Sequence, residues 1–358
     1  MLVHDDTEPG HDELLSLLRT KGLSIKNLDE RKKRELREFL DNLCNKQGRS
    51  LNDVAKMIGN KTSGYTSWLC RQLGVTVRPF EEARLRGIKE KRRKYERRPF
   101  DGTDEDRAYL LGLRHGDLSV SKPWNGAIRV STSTTHPAMA ELFRSLFERY
   151  GHVYQHPRYK SDTNSYEWNL FTILDPTFEF LSAKFEESKQ WLDSSKSVLL
   201  SYLSGLLDAE GSLITTRDRR GKVALFVDYY NSNKALLEWV MNHLEALGYH
   251  CSLRINKRKG TRTRKYGIIH RIDYWQLSAI GVKNIQELIR ILQPRHGEKK
   301  RRKAIALSVR PGDLYSNVEE TNLRVRSQIK AEVSDFVRRA EAEYLEKHAA
   351  NQSRKPAG

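Results

Sequence analysis

One pattern is written twice in this chain, 93 positions apart: Tyr109-Leu-Leu-Gly-Leu-Arg-His-Gly-Asp-Leu-Ser119 and Tyr202-Leu-Ser-Gly-Leu-Leu-Asp-Ala-Glu-Gly-Ser212. Each copy reads as a short apolar helix with a glycine midway and an acid at its end, Asp117 in the first and Glu210 in the second. A glycine on an apolar helix lets a second helix backbone approach closely, so the two copies are expected to pack on each other and divide the fold into related halves.

The repetition runs well past the motif. After Asp117 the sequence reads as strands over 118–121 and 127–133 and a helix over 137–151; after Glu210 it reads as strands over 212–216 and 223–230 and a helix over 234–248. The two helices superpose without gaps at an offset of 97, with Met139 on Leu236, Phe143 on Val240, Phe147 on Leu244 and Gly151 on Gly248. Their apolar positions recur at helical spacing and the glycines suit a left-handed C-cap. Each copy then offers two more strands, 152–156 with 166–173 and 249–255 with 274–280, and a closing helix, 177–182 and 282–292. The expected fold class is α+β: two pseudo-symmetric α-β-β-α-β-β-α repeats, at 104–196 and 197–303. Around them lie a helical region at 1–83, a basic linker at 84–103 and a helical tail with a polar, fraying end at 304–358.

Charge narrows the partner. The 64 Lys+Arg against 46 Asp+Glu give +18, which favours a polyanion, since each phosphate neutralised releases counterions. No apolar run approaches the roughly 18 residues of a membrane span, and residues 1–10 are acidic rather than signal-like, so a cytoplasmic protein with no membrane partner is expected. Cys44, Cys70 and Cys251 are isolated and give neither a disulfide frame nor a zinc site.

Two carboxylates that meet across a helix pair in a basic chain suggest metal-dependent cleavage of a phosphodiester. Carboxylates at helix C-termini sit in negative potential that favours a hard cation such as Mg²⁺, or another divalent ion such as Mn²⁺.

These motifs resemble the LAGLIDADG homing endonucleases in their single-chain, two-motif form, over about 104–303. Leu203-Ser-Gly-Leu-Leu-Asp-Ala-Glu-Gly211 is a close match, whereas Leu110-Leu-Gly-Leu-Arg-His-Gly-Asp-Leu118 is degenerate, with His115 in place of the inner acid and Leu118 in place of the final glycine. The resemblance implies that the motif helices pack together, that the repeats form a saddle straddling DNA, and that Asp117 and Glu210 bind the metal. The metals would orient a water for in-line attack and stabilise the leaving oxygen, giving one nick per strand. By their positions after the closing helices, Lys184 and Lys299 are the candidates for stabilising transition-state charge. The glutamine that the family often places near the end of the second strand is replaced by Thr134-Thr135 and by Asn231-Ser232-Asn233, which read equally well as helix caps. Asp208 reads as structural. His115 reads as a packing residue, with an altered metal ligand as the alternative.

A β-ribbon fits the major groove and reads bases from one face. The candidate readers are Ser119, Ser121, Lys122, Arg129, Ser131 and Ser133 in the first repeat and Thr215, Arg217, Arg219, Arg220, Asp228 and Tyr230 in the second. The basic hairpin around Gly260 adds Lys257, Arg258, Arg262 and Arg264 as backbone or groove contacts. In the N-terminal region a helix capped by Ser50, a turn at Asn60-Lys61 and a second helix from Ser63 are similar to helix-turn-helix segments. That similarity offers Tyr65, Thr66, Ser67 and Arg71 to DNA, with Val54, Ala55, Ile58, Trp68 and Leu69 packing inside.

The resulting expectation is a monomeric, sequence-specific endonuclease that hydrolyses double-stranded DNA at a long asymmetric target, with no small-molecule substrate. Two other readings stand beside it: a catalytically weakened relative acting as a transcription regulator, and an RNA-splicing maturase using the same basic surface.

Overall fold

The computed structural model describes residues 11–19, 25–59, 62–77, 95–123, 126–262, 267 and 269–352. The chain divides into two compact units, Met1–Arg93 and Lys94–Gly358.

The first unit is helical: α1 His11–Arg19, α2 Glu30–Asp41, α3 Leu51–Met57 and α4 Ser63–Gln72. Ser50 does cap α3, accepting from the Asp53 backbone N–H at 3.2 Å. Leu36, Phe39, Leu40, Val54, Ile58 and Leu69 form its core. The phase of α4 differs from the sequence reading. Thr66, Leu69, Cys70 and Leu73 are buried, a spacing of three, four and seven, so Thr66 points inward and Trp68 outward with 43% of its surface exposed. Tyr65, Ser67 and Arg71 remain at least partly accessible. The Asn60-Lys61 turn and most of the basic linker lie outside the described residues.

The second unit holds the duplication. The first repeat is α5 Asp104–His115, β1 Ser119–Ser121, β2 Ile128–Thr134, α6 Pro137–Phe147, β3 Val153–Lys160 and β4 Ser165–Leu174. A 3₁₀ stretch over Pro176–Ser182 closes it, followed by α7 Phe185–Leu192. The closing element was expected to be α-helical; Pro176 at its start and Asp175 capping Thr177 tighten it into a 3₁₀ turn. The second repeat is α8 Lys196–Glu210, β5 Gly211–Arg217, β6 Val223–Asn231, α9 Lys234–Ala246, β7 Cys251–Lys257, β8 Tyr274–Ile280 and α10 Val282–Ile291. Both sheets are antiparallel with the same order, β1-β2-β4-β3 and β5-β6-β8-β7. Helices α6 in one repeat and α9 in the other pack on one face of their sheets, burying Ile128, Val130, Leu170 and Leu174, and Leu225, Val227, Leu277 and Ala279.

Helix α5 belongs to both cores: Tyr109, Leu110 and Leu113 join the first, Ala108 and Leu111 the second. It meets α8 glycine to glycine. A Cβ on Gly112 would lie 2.6 Å from the Leu206 nitrogen and one on Gly205 2.9 Å from the Tyr109 carbonyl carbon, so neither position can carry a side chain at this separation.

Past the repeats, α11 Gly297–Ser308 and α12 Ser316–Gln352 follow. The tail is part of the fold through most of its length. Asn322 donates to the Thr215 carbonyl of β5 at 2.9 Å, and Trp168 of β4 donates through Nε1 to the Phe336 carbonyl at 2.9 Å. Phe336 and Ala340 lie in the first repeat's core. Helix α12 therefore ties both sheets, because its apolar face covers the exposed ends of β3 and β4 that a free tail would leave to water.

Candidate active site and nucleic-acid interface

The glycine contact brings the ends of α5 and α8 together. At Gly116, the last residue before Asp117, an added Cβ would lie 2.8 Å from Glu210 Cγ, so the turn carrying one acid rests on the side chain of the other. Burial, then the charge of Asp117, pushes Glu210 up to about 7, with Lys299 working against the rise. Asp117 is raised by burial alone. Although exposed at the surface, it has enough protein packed around its carboxyl to disfavour the charge, and Lys299 and His136 pull it back.

The charge of Lys299 acts on both acids. Its Nζ donates to the carbonyl of Gly211, the residue after Glu210, and burial lowers its pKa while Asp208, Glu298 and Asp117 oppose the shift. Lys184 is placed otherwise: it is the exposed N-cap residue of α7, its backbone N–H donates to Glu187 at 3.0 Å, and no described contact joins it to Asp117 or Glu210. Its neighbour Ala183 does reach the end of α5, with its carbonyl 3.4 Å from His115 Nε2.

Asp208 braces the second motif. Its Oδ2 accepts from the Tyr109 hydroxyl at 2.5 Å, the Arg295 N–H at 2.5 Å and the His296 N–H at 3.1 Å. That anchors the strand of chain from which α11 starts, and with it Lys299. The equivalent residue in the first motif is His115, and its equivalent tyrosine, Tyr202, lies 2.9 Å from His115 Nδ1. A carbonyl, that of Ala183, faces Nε2, so Nε2 carries the proton and Nδ1 accepts from Tyr202. Burial holds this imidazole at about 4, hence neutral. His115 is a bracing residue of the helix pair.

Two further groups, unremarked in the sequence, stand at the same place. His136, at the N-cap position of α6, has its Nδ1 2.7 Å from Oε1 of the buried Glu298 in the first turn of α11. Burial works against the Glu298 charge, yet His136, His296 and Lys299 carry its carboxyl below the usual range. The pairing joins positions 162 apart, and the only signal was local: a histidine directly after the Thr134-Thr135 pair.

The sheet faces opposite the helices carry polar and charged residues among a few apolar ones. In the first sheet, register pairs Ser119 with Ser131 and Ser121 with Arg129, and places Ser133 opposite Asn169, so all five strand residues singled out by sequence share that face. Tyr154, His156 and Arg158 of β3 join it, opposite Phe171, Asn169 and Glu167. Arg129 lies over the Phe171 ring at 4.3 Å. Lys122 stands just beyond β1 and pairs with Glu179 at 2.6 Å.

In the second sheet Asp228 and Tyr230 lie on the polar face, with Ser212, Gln276, Ser278 and Arg254 beside them. Asp228 Oδ2 accepts from Tyr230 and from Gln276, both at 2.9 Å, while the buried Oδ1 has no partner among the described residues. Thr215 and Arg217 fall on the other face, opposite Leu225 and Val223, because buried Leu213 fixes the phase of β5; Thr216 takes the place expected of them. Arg219 and Arg220 are exposed at the β5–β6 turn, and Lys257, Arg258 and Arg262 are exposed along the β7–β8 hairpin. Arg264 lies outside the described residues.

Among the described residues no helix is long and apolar enough to cross a membrane. No match is found among curated proteins. Among solved structures the chain is similar to variants of the homing endonuclease I-DmoI, at 19% identity over 53% of this chain and 89% of that one, with a TM-score of 0.35. It is also similar to the homing endonuclease I-WcaI bound to its DNA recognition sequence, at 14% identity over 54% and 84%, with a TM-score of 0.36. The second repeat gives the family match: residues 197–292 match the LAGLIDADG-like domain.

Proposed function

We propose that the protein is a divalent-metal-dependent endonuclease that binds double-stranded DNA along the polar faces of its two sheets and cuts it at Asp117 and Glu210. The observation that carries this reading is the convergence of the two acids: the turn before Asp117 touches Glu210, and burial with the neighbouring charge pushes Glu210 to about 7. A carboxylate buried at this cost beside a second acid is unfavourable for a purely structural pair and suits a site completed by a cation.

The donor set fits a hard divalent ion, since both acids offer carboxylate oxygens. Such an ion, when bound, supplies a polarised water and neutralises charge on the scissile phosphate. The chain's own residues do the rest. Asp117 and Glu210 would hold the ion, and Lys299 places a positive charge near both acids. Asp208, through the Arg295 and His296 N–H groups, keeps the Lys299 segment in position. The basic hairpins around Arg219–Arg220 and Lys257–Arg258 supply phosphate contacts, and the two unlike sheets favour an asymmetric target read by one chain. The first unit, through Tyr65, Ser67 and Arg71, supplies a second reading module.

The test is incubation with a library of randomised duplexes in Mg²⁺, in Mn²⁺ and in EDTA, followed by sequencing of broken ends. Metal-dependent double-strand breaks at a recurrent sequence are expected. Asp117→Asn and Glu210→Gln should abolish them and leave DNA retention within about tenfold, because the acids add no favourable contact to phosphates. Specific retention with no breaks in either metal would overturn the nuclease reading in favour of a regulator.

A further inference from the structure

The two repeats treat one position differently. Residue 136 in the first corresponds to 233 in the second, each just before the helix that follows the second strand. Asn231 Oδ1 accepts from the Asn233 N–H at 2.8 Å, and Thr134 Oγ1 accepts from the His136 N–H at 3.0 Å, so the two backbones turn alike. The side chains then part. Asn233 caps its own helix, accepting from the Leu236 N–H at 3.1 Å. His136 makes no cap bond to α6 and reaches across the molecule to Glu298.

Glu298 is fixed where the centre is. It directly precedes Lys299, which bonds to the residue after Glu210, and follows by two the His296 whose N–H is held by Asp208. The Glu298 side chain is 8% exposed and that of His136 47% exposed, so the imidazole has one edge on a buried carboxylate and the rest toward solvent. A carboxylate can only accept, so Nδ1 of the neutral ring carries the proton and Nε2 becomes the accepting edge. A carboxylate that fixes a histidine tautomer and orientation in this way prepares the other nitrogen to take a proton or hold a water.

We propose that His136, oriented by Glu298, takes the proton of the attacking water for one strand of the duplex, a role for which the second repeat has no counterpart. The water oxygen bonds to phosphorus, its proton passes to Nε2 of His136, the opposite bridging P–O bond breaks, and the leaving oxygen takes a proton from solvent. Glu298 is the positioning residue. The inference rests on the nuclease reading above, and it makes the two strands unequal by construction.

Two measurements test it. With a duplex recovered from the randomised library and labelled on one strand or the other, His136→Ala should slow nicking of one strand by roughly 10²-fold and leave the second within about threefold. Imidazole in the buffer should restore much of the loss, and retention of uncut DNA should show that the variant is folded. Equal loss on both strands without imidazole rescue, or no loss at all, overturns the role of His136 while leaving the nuclease reading intact; a native protein that nicks neither strand overturns both. The second measurement is independent of cleavage. In the metal-free native protein at pH 8.5, ¹⁵N spectra should show His136 protonated at Nδ1, and Glu298→Ala should shift it toward the Nε2-protonated form. An Nε2-protonated ring in the native protein would refute the arrangement.

Discussion

Replacing Glu210 by glutamine should stabilise the metal-free protein, and the pH dependence of that gain reports on the carboxylate pair directly. Glu210 stands at about 7 against an ordinary 4.5 because burial and then Asp117 disfavour its charge. Ionising it in place therefore costs about 3 kcal/mol more than in the unfolded chain. A raised carboxyl binds more protons folded than unfolded between those two values. Its contribution to stability is thus whole below pH 4.5, shrinks as pH rises through 7, and above that has become a penalty of about 3 kcal/mol relative to a neutral side chain. Glutamine keeps the shape and removes the charge. In EDTA the native protein and Glu210→Gln should melt together near pH 4.5, and the variant should melt higher at pH 8.5, by roughly 6 to 12 °C for a unit of this size. Mg²⁺ should close the gap, since a ligand present at about a hundred times its dissociation constant stabilises the native protein by about 2.7 kcal/mol and the variant less. A glutamine variant less stable than the native protein at pH 8.5 in EDTA, or a gap that ignores pH, would refute the claim that the Glu210 carboxyl is held buried beside Asp117.

Gly205→Ala should be far more damaging than an ordinary surface exchange, costing about 3 kcal/mol or more, because its Cβ would push against the Tyr109 backbone and part α5 from α8. Urea unfolding of the variant measures this, and a loss under about 1 kcal/mol would show that the helices are less tightly opposed. On the second sheet, Asp228→Asn exchanges an acceptor for a donor beside Tyr230 and Gln276, and should change the preferred base at one target position by about 1 to 3 kcal/mol. Library sequencing would show a uniform fall in binding, with the same preferred sequence, if Asp228 only supports the sheet.

The duplicated frame was legible because its signals are local. Apolar residues at helical spacing, the glycines of α5 and α8, and the strand runs each act over a few residues, and their recurrence registers one half against the other. Phase at the ends of elements was harder. Thr215 and Arg217 look like groove readers by type, yet Leu213, packed in the core, turns them to the helix side, and Thr66 is drawn inward by the same three-and-four spacing that buries Leu69 and Cys70. The His136–Glu298 pairing could not be read, because nothing local to either residue announces a partner 162 positions away.

The degenerate first motif shows where a motif reading misleads. With His115 where the second copy has Asp208, the first centre looks damaged, but the replaced residue faces a different partner. Asp208 must accept, because the chain it anchors presents two N–H groups, those of Arg295 and His296. His115 must donate on one side, because the chain it meets presents the carbonyl of Ala183, and it can still accept from Tyr202 on the other. A carboxylate at 115 would face that carbonyl with no proton between them, and an imidazole at 208 could not satisfy two amide donors and a tyrosine. Each residue matches the hydrogen-bond polarity of its own closing segment, which is a requirement of packing. The acids of the proposed centre, Asp117 and Glu210, sit two residues further on in both copies. Packing thus accounts for the residue at 115, and under the nuclease proposal a difference in cutting between the strands is to be sought at His136.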